Sequence, residues 1–360
     1  MRFYLIGAGV IGRTHAEAIR KLAPREGCEI KVADPSPQAL SGFAELYPEA
    51  QTFTDAQTML AEEANDDDIV IVGTPPFTHC KLSRMGLESG RHVLCEKPFV
   101  MNAEEAKELL EVAKQHNRLI GCCSVRFLGL PKMDEVKKLL HSRALGDIYK
   151  VTFVYRGQRA RSGIEYQSES RWFLDRSKSA GGVGMDWGPY DFTVINDLLS
   201  PASIEVAAAW TSKPQTEADP VDTIYDVEGH VGAMLSYRLN DSSKVTVQYE
   251  RASCTHGEAY HHVEIEGTLG AVRWSPYFES DNVVYTCDKN GEPLSSESLA
   301  ANESEFGFMD HPVLFFVRKV RGDVSQAVVN EQAVFNFSCL QAIYDCAESG
   351  KPQRIERGQI

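Results

Sequence analysis

The feature that most constrains this chain lies at its start. Phe3–Ile6 is an apolar run that breaks at Gly7-Ala8-Gly9-Val10-Ile11-Gly12, after which Ala16, Ile19 and Leu22 recur at helical spacing. Between a strand and a helix, the first glycine of such a pattern permits a tight turn. The second lets the backbone approach a pyrophosphate. The third lets helix and strand pack closely, so that the unpaired N–H groups of the helix N-terminus face the phosphates. A second short run, Glu29–Ala33, ends at Asp34, where a carboxylate accepts ribose hydroxyls. The pattern predicts cofactor contacts at Gly7, Gly9, Val10, Ile11, Gly12 and Asp34. Pro35-Ser36-Pro37 follows, with no arginine to meet a 2′-phosphate, which favours NAD. Ser36 leaves NADP open, because its hydroxyl can hydrogen-bond a phosphate.

Three more short runs, Ile69–Val72, His92–Cys95 and Leu119–Cys123, alternate with helical patterns. Asn102, with Glu105 three residues on, reads as a capping box ahead of Ala106, Leu109, Leu110 and Ala113. Continuous apolar strands separated by helices predict a doubly wound parallel sheet over residues 1–123. Beyond a helix at Pro131–Ser142, the pattern changes. Val245, Val247 and Tyr249 alternate with Thr246, Gln248 and Glu250, and Asn240–Ser243 joins Ala233–Leu239 to them as a hairpin. Residues 124–360 are therefore expected to form an α+β domain with an open, mainly antiparallel sheet. Its last helix, Glu331–Ala347, stops at Ser349-Gly350-Lys351-Pro352. Two domains suit 360 residues, because single cores stop growing at about 250–300.

Composition narrows the partners. Against 37 Lys and Arg stand 51 Asp and Glu, a net charge of −14 that disfavours nucleic acid and anionic membranes. Backbone amides can still bind a small anionic cofactor. No stretch reaches the ~20 apolar residues of a membrane span, and the first apolar run is too short for a secretory signal. Nine scattered cysteines without a CxxC pair fit reduced thiols in a cytoplasm.

Candidate chemistry collects at strand ends, where open parallel sheets bind ligands. Thr74-Pro75-Pro76 ends one strand and Glu96-Lys97-Pro98 another. Pro98 disfavours a helical Lys97 and aims it off the strand tip. An ammonium there can hydrogen-bond a substrate hydroxyl, or relay its proton once desolvated; the alternative is a solvated surface lysine. The second cluster is Gly181-Gly182-Val183-Gly184-Met185-Asp186-Trp187-Gly188-Pro189-Tyr190-Asp191. Asp186 and Tyr190, four apart, share a helical face, so a carboxylate can orient a phenol. The alternative is a glycine turn before a buried helix with Phe192, Val194, Ile195 and Leu198 as its core stripe. Asp191 reads as exposed or capping.

Taken together, GAGVIG, the Thr74–His79 stretch, EKP at 96–98, the GG…DWGPY segment and the closing helix resemble the Gfo/Idh/MocA family over nearly the whole chain. The resemblance implies a Rossmann domain and a second domain whose sheet mediates homo-oligomerisation as a dimer or tetramer. It also implies NAD(P)-dependent hydride transfer at a carbon of a sugar, cyclitol or related polyol. Lys97 matches the family's catalytic lysine and Asp186 its substrate-domain aspartate. Tyr190 stands where many members carry histidine. A free phenol titrates near ~10, so the expected scheme has Lys97 and Tyr190 share the substrate hydroxyl while Asp186 orients them. The alternatives are an NADP-dependent reductase of a sugar ketone or non-sugar diol, and a silent cofactor sensor on the same fold. Thr74, Pro75, His79, Glu96 and Lys97 complete the expected cofactor contacts, with His79 more readily a cap of the helix that follows than a catalytic group. Arg126, Arg171 and Trp172 join Lys97, Asp186 and Tyr190 as candidate substrate contacts. For Arg126 the alternative is a salt bridge between domains, and for Arg171-Trp172 ordinary packing. His256, His261 and His262 are not expected to bind metal, because adjacent strand residues point to opposite faces. Asp66-Asp67-Asp68 reads as a solvated loop.

Overall fold

In the computed structural model, which describes residues 1–158, 170–215, 219–278, 280–289, 292–299 and 305–360, the short apolar runs become parallel strands. They lie in the first of two units, Met1–Arg126 with Ser304–Phe337. Its strands β1 (Arg2–Ile6), β2 (Glu29–Ala33), β3 (Gln51–Phe53), β4 (Ile69–Val72), β5 (His92–Cys95) and β6 (Ile120–Cys122) run in the order β6-β5-β4-β1-β2-β3. All five neighbouring pairs are parallel. β4 and β5 are buried at every residue, which is why they show no alternation in sequence. The chain switches direction across the sheet between β1 and β4, the kind of point at which such sheets bind ligands. Helix α1 (Val10–Glu26) buries Ala16, Ile19 and Leu22 as its spacing requires. In the Ala103–Gln115 helix, Asn102 accepts from the Glu105 N–H and the Glu105 carboxylate from the Met101 N–H, both at 2.9 Å.

A further strand of this sheet, Val328–Val329, pairs antiparallel with β6, and the Asn330 side chain accepts from the Ile120 N–H. The His311–Val320 helix reaches the same strand: a Cβ at Gly121 would lie 2.6 Å from the Phe316 ring. A single cut at residue 124 misses this return of the chain. Buried helices carry apolar stripes whichever sheet they cover, so the 304–337 pattern does not announce its partner.

The second unit is Phe127–Glu303 with Ser338–Ile360. Its strands are β7 (Ile148–Gln158), β8 (Ser203–Ser212), β9 (His230–Arg238), β10 (Lys244–Thr255), β11 (Tyr260–Gly267), β12 (Gly270–Trp274), β13 (Asn282–Lys289) and β14 (Glu292–Leu299), with Gln353–Glu356 at one edge. The order is β14-β13-β12-β11-β7-β10-β9-β8 and then the edge strand. Only β7 and β10 pair in parallel; the other neighbours are antiparallel. One face is covered by the Val183–Leu199 helix, which packs on β9 and β10. The β10 side chains beneath it are Val245, Val247, Tyr249 and Arg251, all buried. A charged residue at the fourth position of an apolar row calls for a partner. Among the described residues no helix is long and apolar enough to cross a membrane.

Candidate active site

At the glycine loop the three glycines differ. Gly7 has φ +108° and a Cβ there would lie 2.7 Å from the Gly73 carbonyl oxygen, while at Gly12 it would lie 2.0 Å from that of Gly7. Those two let strand, helix and neighbouring loop close up. A Cβ at Gly9 would meet nothing within 4 Å, and Val10 beside it is 64 % exposed. The N-terminus of α1 therefore opens on free space with no side-chain cap, which leaves N–H donors and the positive helix end available. The Asp34 carboxylate is held against this loop, accepting from the Ala8 N–H at 2.9 Å and the Ser36 N–H at 2.8 Å. Each carboxylate oxygen carries two lone pairs, so acceptor capacity remains. The Ser36 hydroxyl oxygen accepts from the Ala39 N–H at 3.2 Å and caps the helix Pro37–Leu46. An open amide cradle with a fixed carboxylate beside it fits a dinucleotide.

Beyond β4, the Thr74 and Thr78 hydroxyls lie 2.6 Å apart and Thr78 donates to the Pro75 carbonyl at 2.8 Å. His79, fully buried, sets Nδ1 2.9 Å from the Pro98 carbonyl oxygen and Nε2 2.8 Å from that of Thr74. Its ring ties the ends of β4 and β5 together. This corrects the reading of His79 as a helix cap: the buried ring stands between two carbonyls, and in its neutral form it has one N–H to donate to one of them. Burial also lowers its pKa.

Glu96 is buried and fully engaged. Oε1 lies 2.9 Å from His15 Nε2 and accepts from Arg126 Nη2 at 2.6 Å, while Oε2 accepts from the Lys97 N–H at 3.0 Å. Burial opposes its charge, but Arg126 and then His15 outweigh that and hold the carboxyl far below its ordinary range. Glu96 thus fixes the backbone of Lys97 and does not itself present a free carboxylate. The Lys97–Pro98 peptide bond is cis. Arg126 pairs with Glu96 inside its own unit. Cys123 Sγ joins His15 and Glu96 within 4.8 Å. The guanidinium already compensates Glu96, and burial pushes the Cys123 thiol up and keeps it protonated, so the cluster fits an ion pair better than a metal ion.

In the second unit, Asp186 and Tyr190 do sit on one helix, Val183–Leu199, with Asp186 in its first turn and both side chains nearly buried. A carboxylate in that turn suits the helix dipole. The Tyr190 ring meets Phe127 edge-on at 5.2 Å and Trp187 at 5.8 Å. The glycine cluster has a packing cause. A Cβ at Gly182 would lie 1.9 Å from the Glu228 carbonyl oxygen, and one at Gly184 2.5 Å from the Tyr344 hydroxyl. Into that room comes the Glu228 carboxylate, accepting from the Gly182 and Gly184 N–H groups at 2.9 and 3.0 Å and from Tyr344 at 2.6 Å. It caps the helix from a distant loop, and burial raises its pKa.

Asp191 is the largest correction. It is 0 % exposed and accepts from Arg251 Nε at 2.9 Å, Arg251 Nη2, Tyr249 at 2.8 Å and Tyr277. Sequence reasoning missed this knot, although Arg251 in the apolar row of β10 was its signal. Arg171 pairs with Asp222 at 2.7 Å and Trp172 stacks on Phe173 at 3.9 Å, partners outside the Val183–Leu199 helix. His261 stacks on Tyr155 and His262 turns toward Glu264, on opposite faces of β11. Asp68 corrects the solvated-loop reading. It is fully buried and accepts from Arg2 at 2.6 and 3.0 Å and from the Asn65 N–H at 2.9 Å.

The chain matches the profile of the oxidoreductase family with an NAD-binding Rossmann fold over residues 1–123, and that of the GFO/IDH/MocA C-terminal domain over residues 133–273. It is 28 % identical to inositol 2-dehydrogenase of Rhizobium meliloti (strain 1021) over 273 residues, 76 % of this chain and 74 % of that protein. It is 23 % identical over 370 residues to the NADP(+) D-xylose 1-dehydrogenase of Haloarcula marismortui, covering 99 % and 93 % of the two chains. Its fold is similar to that of levoglucosan dehydrogenase in complex with NADH and L-sorbose, with a TM-score of 0.78 at 18 % identity over 100 % of both chains. The open glycine loop and the mainly antiparallel second sheet agree with both profiles, and the chain belongs to the Gfo/Idh/MocA family.

Proposed function

We propose that this protein is an NAD(P)-dependent dehydrogenase acting on a CH–OH carbon of a sugar, cyclitol or related polyol. The observation that carries the reading is the open N-terminus of α1 with Asp34 fixed beside it, in the unit that also holds Lys97. Names such as inositol 2-dehydrogenase and D-xylose 1-dehydrogenase among the relatives support a polyhydroxylated substrate. Gly9, Val10 and the start of α1 would hold the pyrophosphate, and Asp34 the ribose hydroxyls. Asp34 favours NAD, because its charge repels a 2′-phosphate and the Ser36 oxygen is engaged as a helix cap. A bound nicotinamide supplies the hydride acceptor or donor.

The chain's own residues handle the proton. The Lys97 ammonium donates a hydrogen bond to the substrate oxygen, while Tyr190, as its phenolate, accepts the hydroxyl proton in oxidation and as the phenol returns it in reduction, with Asp186 orienting the ring. Glu96 holds the Lys97 backbone at the end of β5. Exposed Trp210 and Met234 on the adjacent strands β8 and β9 support association of copies of the chain through the outer face of the nine-stranded sheet. The reduced thiols of nine cysteines support a cytoplasmic setting. Mixing the protein with NAD or NADP and a panel of polyols, while following nicotinamide absorbance, tests the reading; cofactor binding without turnover on any polyol would replace it with the sensor alternative. Tyr190→Phe is expected to lower turnover by about 10²-fold or more. A wild-type rate and pH profile would reduce Tyr190 to packing.

A further inference from the structure

The proposed mechanism makes no use of the most elaborate polar cluster in the second unit. Asp191 immediately follows Tyr190, yet its side chain turns into the sheet. There both carboxylate oxygens are taken: Oδ2 by Tyr249 and Arg251 Nε, Oδ1 by Arg251 Nη2 and the Tyr277 hydroxyl. Arg251 is 6 % exposed and lies among three rings, its central carbon 4.4 Å from the Tyr155 centroid, 5.1 Å from that of Tyr277 and 5.2 Å from that of Trp187. Two of those rings touch the surroundings of Tyr190. Trp187 packs edge-on against both Tyr190 and Tyr277, and Phe127 bridges Tyr190 and Tyr277 at 5.2 and 4.6 Å. Tyr277 is itself anchored, since the buried Lys132 ammonium donates to its carbonyl and, at 2.8 Å, to that of Ser280.

Apolar contacts between a helix and a sheet are not directional, so they fix the rotation of the helix less sharply than a directional bond does. A two-nitrogen guanidinium fork on a carboxylate is directional and fixes both distance and plane. One residue after Tyr190, such a fork sets the roll of the Val183–Leu199 helix. Trp187 and Phe127 connect this cluster to the Tyr190 ring.

We propose that Arg251 is a positioning residue for the reaction: by gripping Asp191 it fixes the rotation of the Val183–Leu199 helix and so the placement of Tyr190. This rests on the dehydrogenase reading above. Its experiment compares wild type with Arg251→Lys, which keeps the charge but loses the fork, and with Arg251→Gln combined with Asp191→Asn, which removes both charges together. Folding is followed by thermal melts, NAD binding by fluorescence, and kcat and KM on the best polyol of the panel. The expected result is a folded, NAD-binding Arg251→Lys protein whose kcat falls about 10- to 100-fold, with KM within about 2-fold, because misplacing a reacting group acts on the transition state. The double variant is expected to fold without recovering kcat. If Arg251→Lys does not fold, Tyr277→Phe takes its place, with a smaller fall in kcat at unchanged KM. A folded variant with wild-type kcat overturns the inference alone. A wild type that turns over no polyol with either nicotinamide overturns the dehydrogenase reading and this inference with it.

Discussion

Each unit holds a buried carboxylate next in sequence to a candidate catalytic residue, Glu96 before Lys97 and Asp191 after Tyr190, and each carboxylate is answered by an arginine. They do different work. Glu96 sits at the end of a parallel strand and spends one oxygen on the backbone N–H of Lys97, so it fixes main chain. Asp191 lies on a helix and spends both oxygens on side chains of the sheet beneath, so it fixes the helix as a body. Parallel strands end in loops, whose backbone must be pinned before a side chain can be aimed. A helix already has its backbone bonded internally, and what needs pinning is its orientation.

That comparison can be broken in order of effect. Asp191→Leu leaves Arg251 buried without its counter-charge, and the expected loss is about 3–5 kcal/mol of stability, read by denaturant unfolding. A loss below ~1 kcal/mol would mean that water or other groups already compensate the guanidinium. Glu96→Gln keeps an acceptor but removes the charge, for an expected ~2–3 kcal/mol. This pair also has a pH signature. Because the folded-state pKa of Glu96 is depressed, its contribution is present above the ordinary carboxylate pKa and is lost as pH falls below that value. Wild type should therefore lose stability on acidification faster than Glu96→Gln; parallel curves would contradict the assignment. Glu228→Gln turns an amide donor toward one of three donors now facing the carboxylate, and about 1–2 kcal/mol should go. Asp34→Ser is expected to move the NAD:NADP binding ratio about 10-fold toward NADP, or ~1.4 kcal/mol, measured by titration with both cofactors. An unchanged ratio would locate cofactor choice elsewhere.

The first unit was largely legible from the chain, because its information is local. The glycine pattern Gly7, Gly9 and Gly12 is read within six residues, and the runs at Ile69–Val72 and Val93–Cys95 are buried at every residue and so show no alternation. The second unit was legible as a class, through the alternation of Val245, Val247 and Tyr249, but not at its polar contacts. Asp191 and Arg251 are sixty residues apart in sequence, Glu228 and Gly184 forty-four, and a carboxylate's sequence neighbours do not say whether a distant strand will supply its donor. Asp68 misled for the same reason, since its partner Arg2 stands on another strand. The return of 304–337 to the first sheet was invisible because Phe316 and Val328 would fill any apolar groove equally well.

In the proposed function, Lys97 handles the substrate hydroxyl and the glycine loop binds NAD. The most direct test measures polyol-dependent reduction of NAD by wild type and by Lys97→Ala, with NAD affinity measured on the same preparations. Turnover by wild type is expected, with a fall of about 10²–10⁴-fold in kcat for Lys97→Ala and NAD affinity nearly intact. Equal turnover by the two proteins would contradict it.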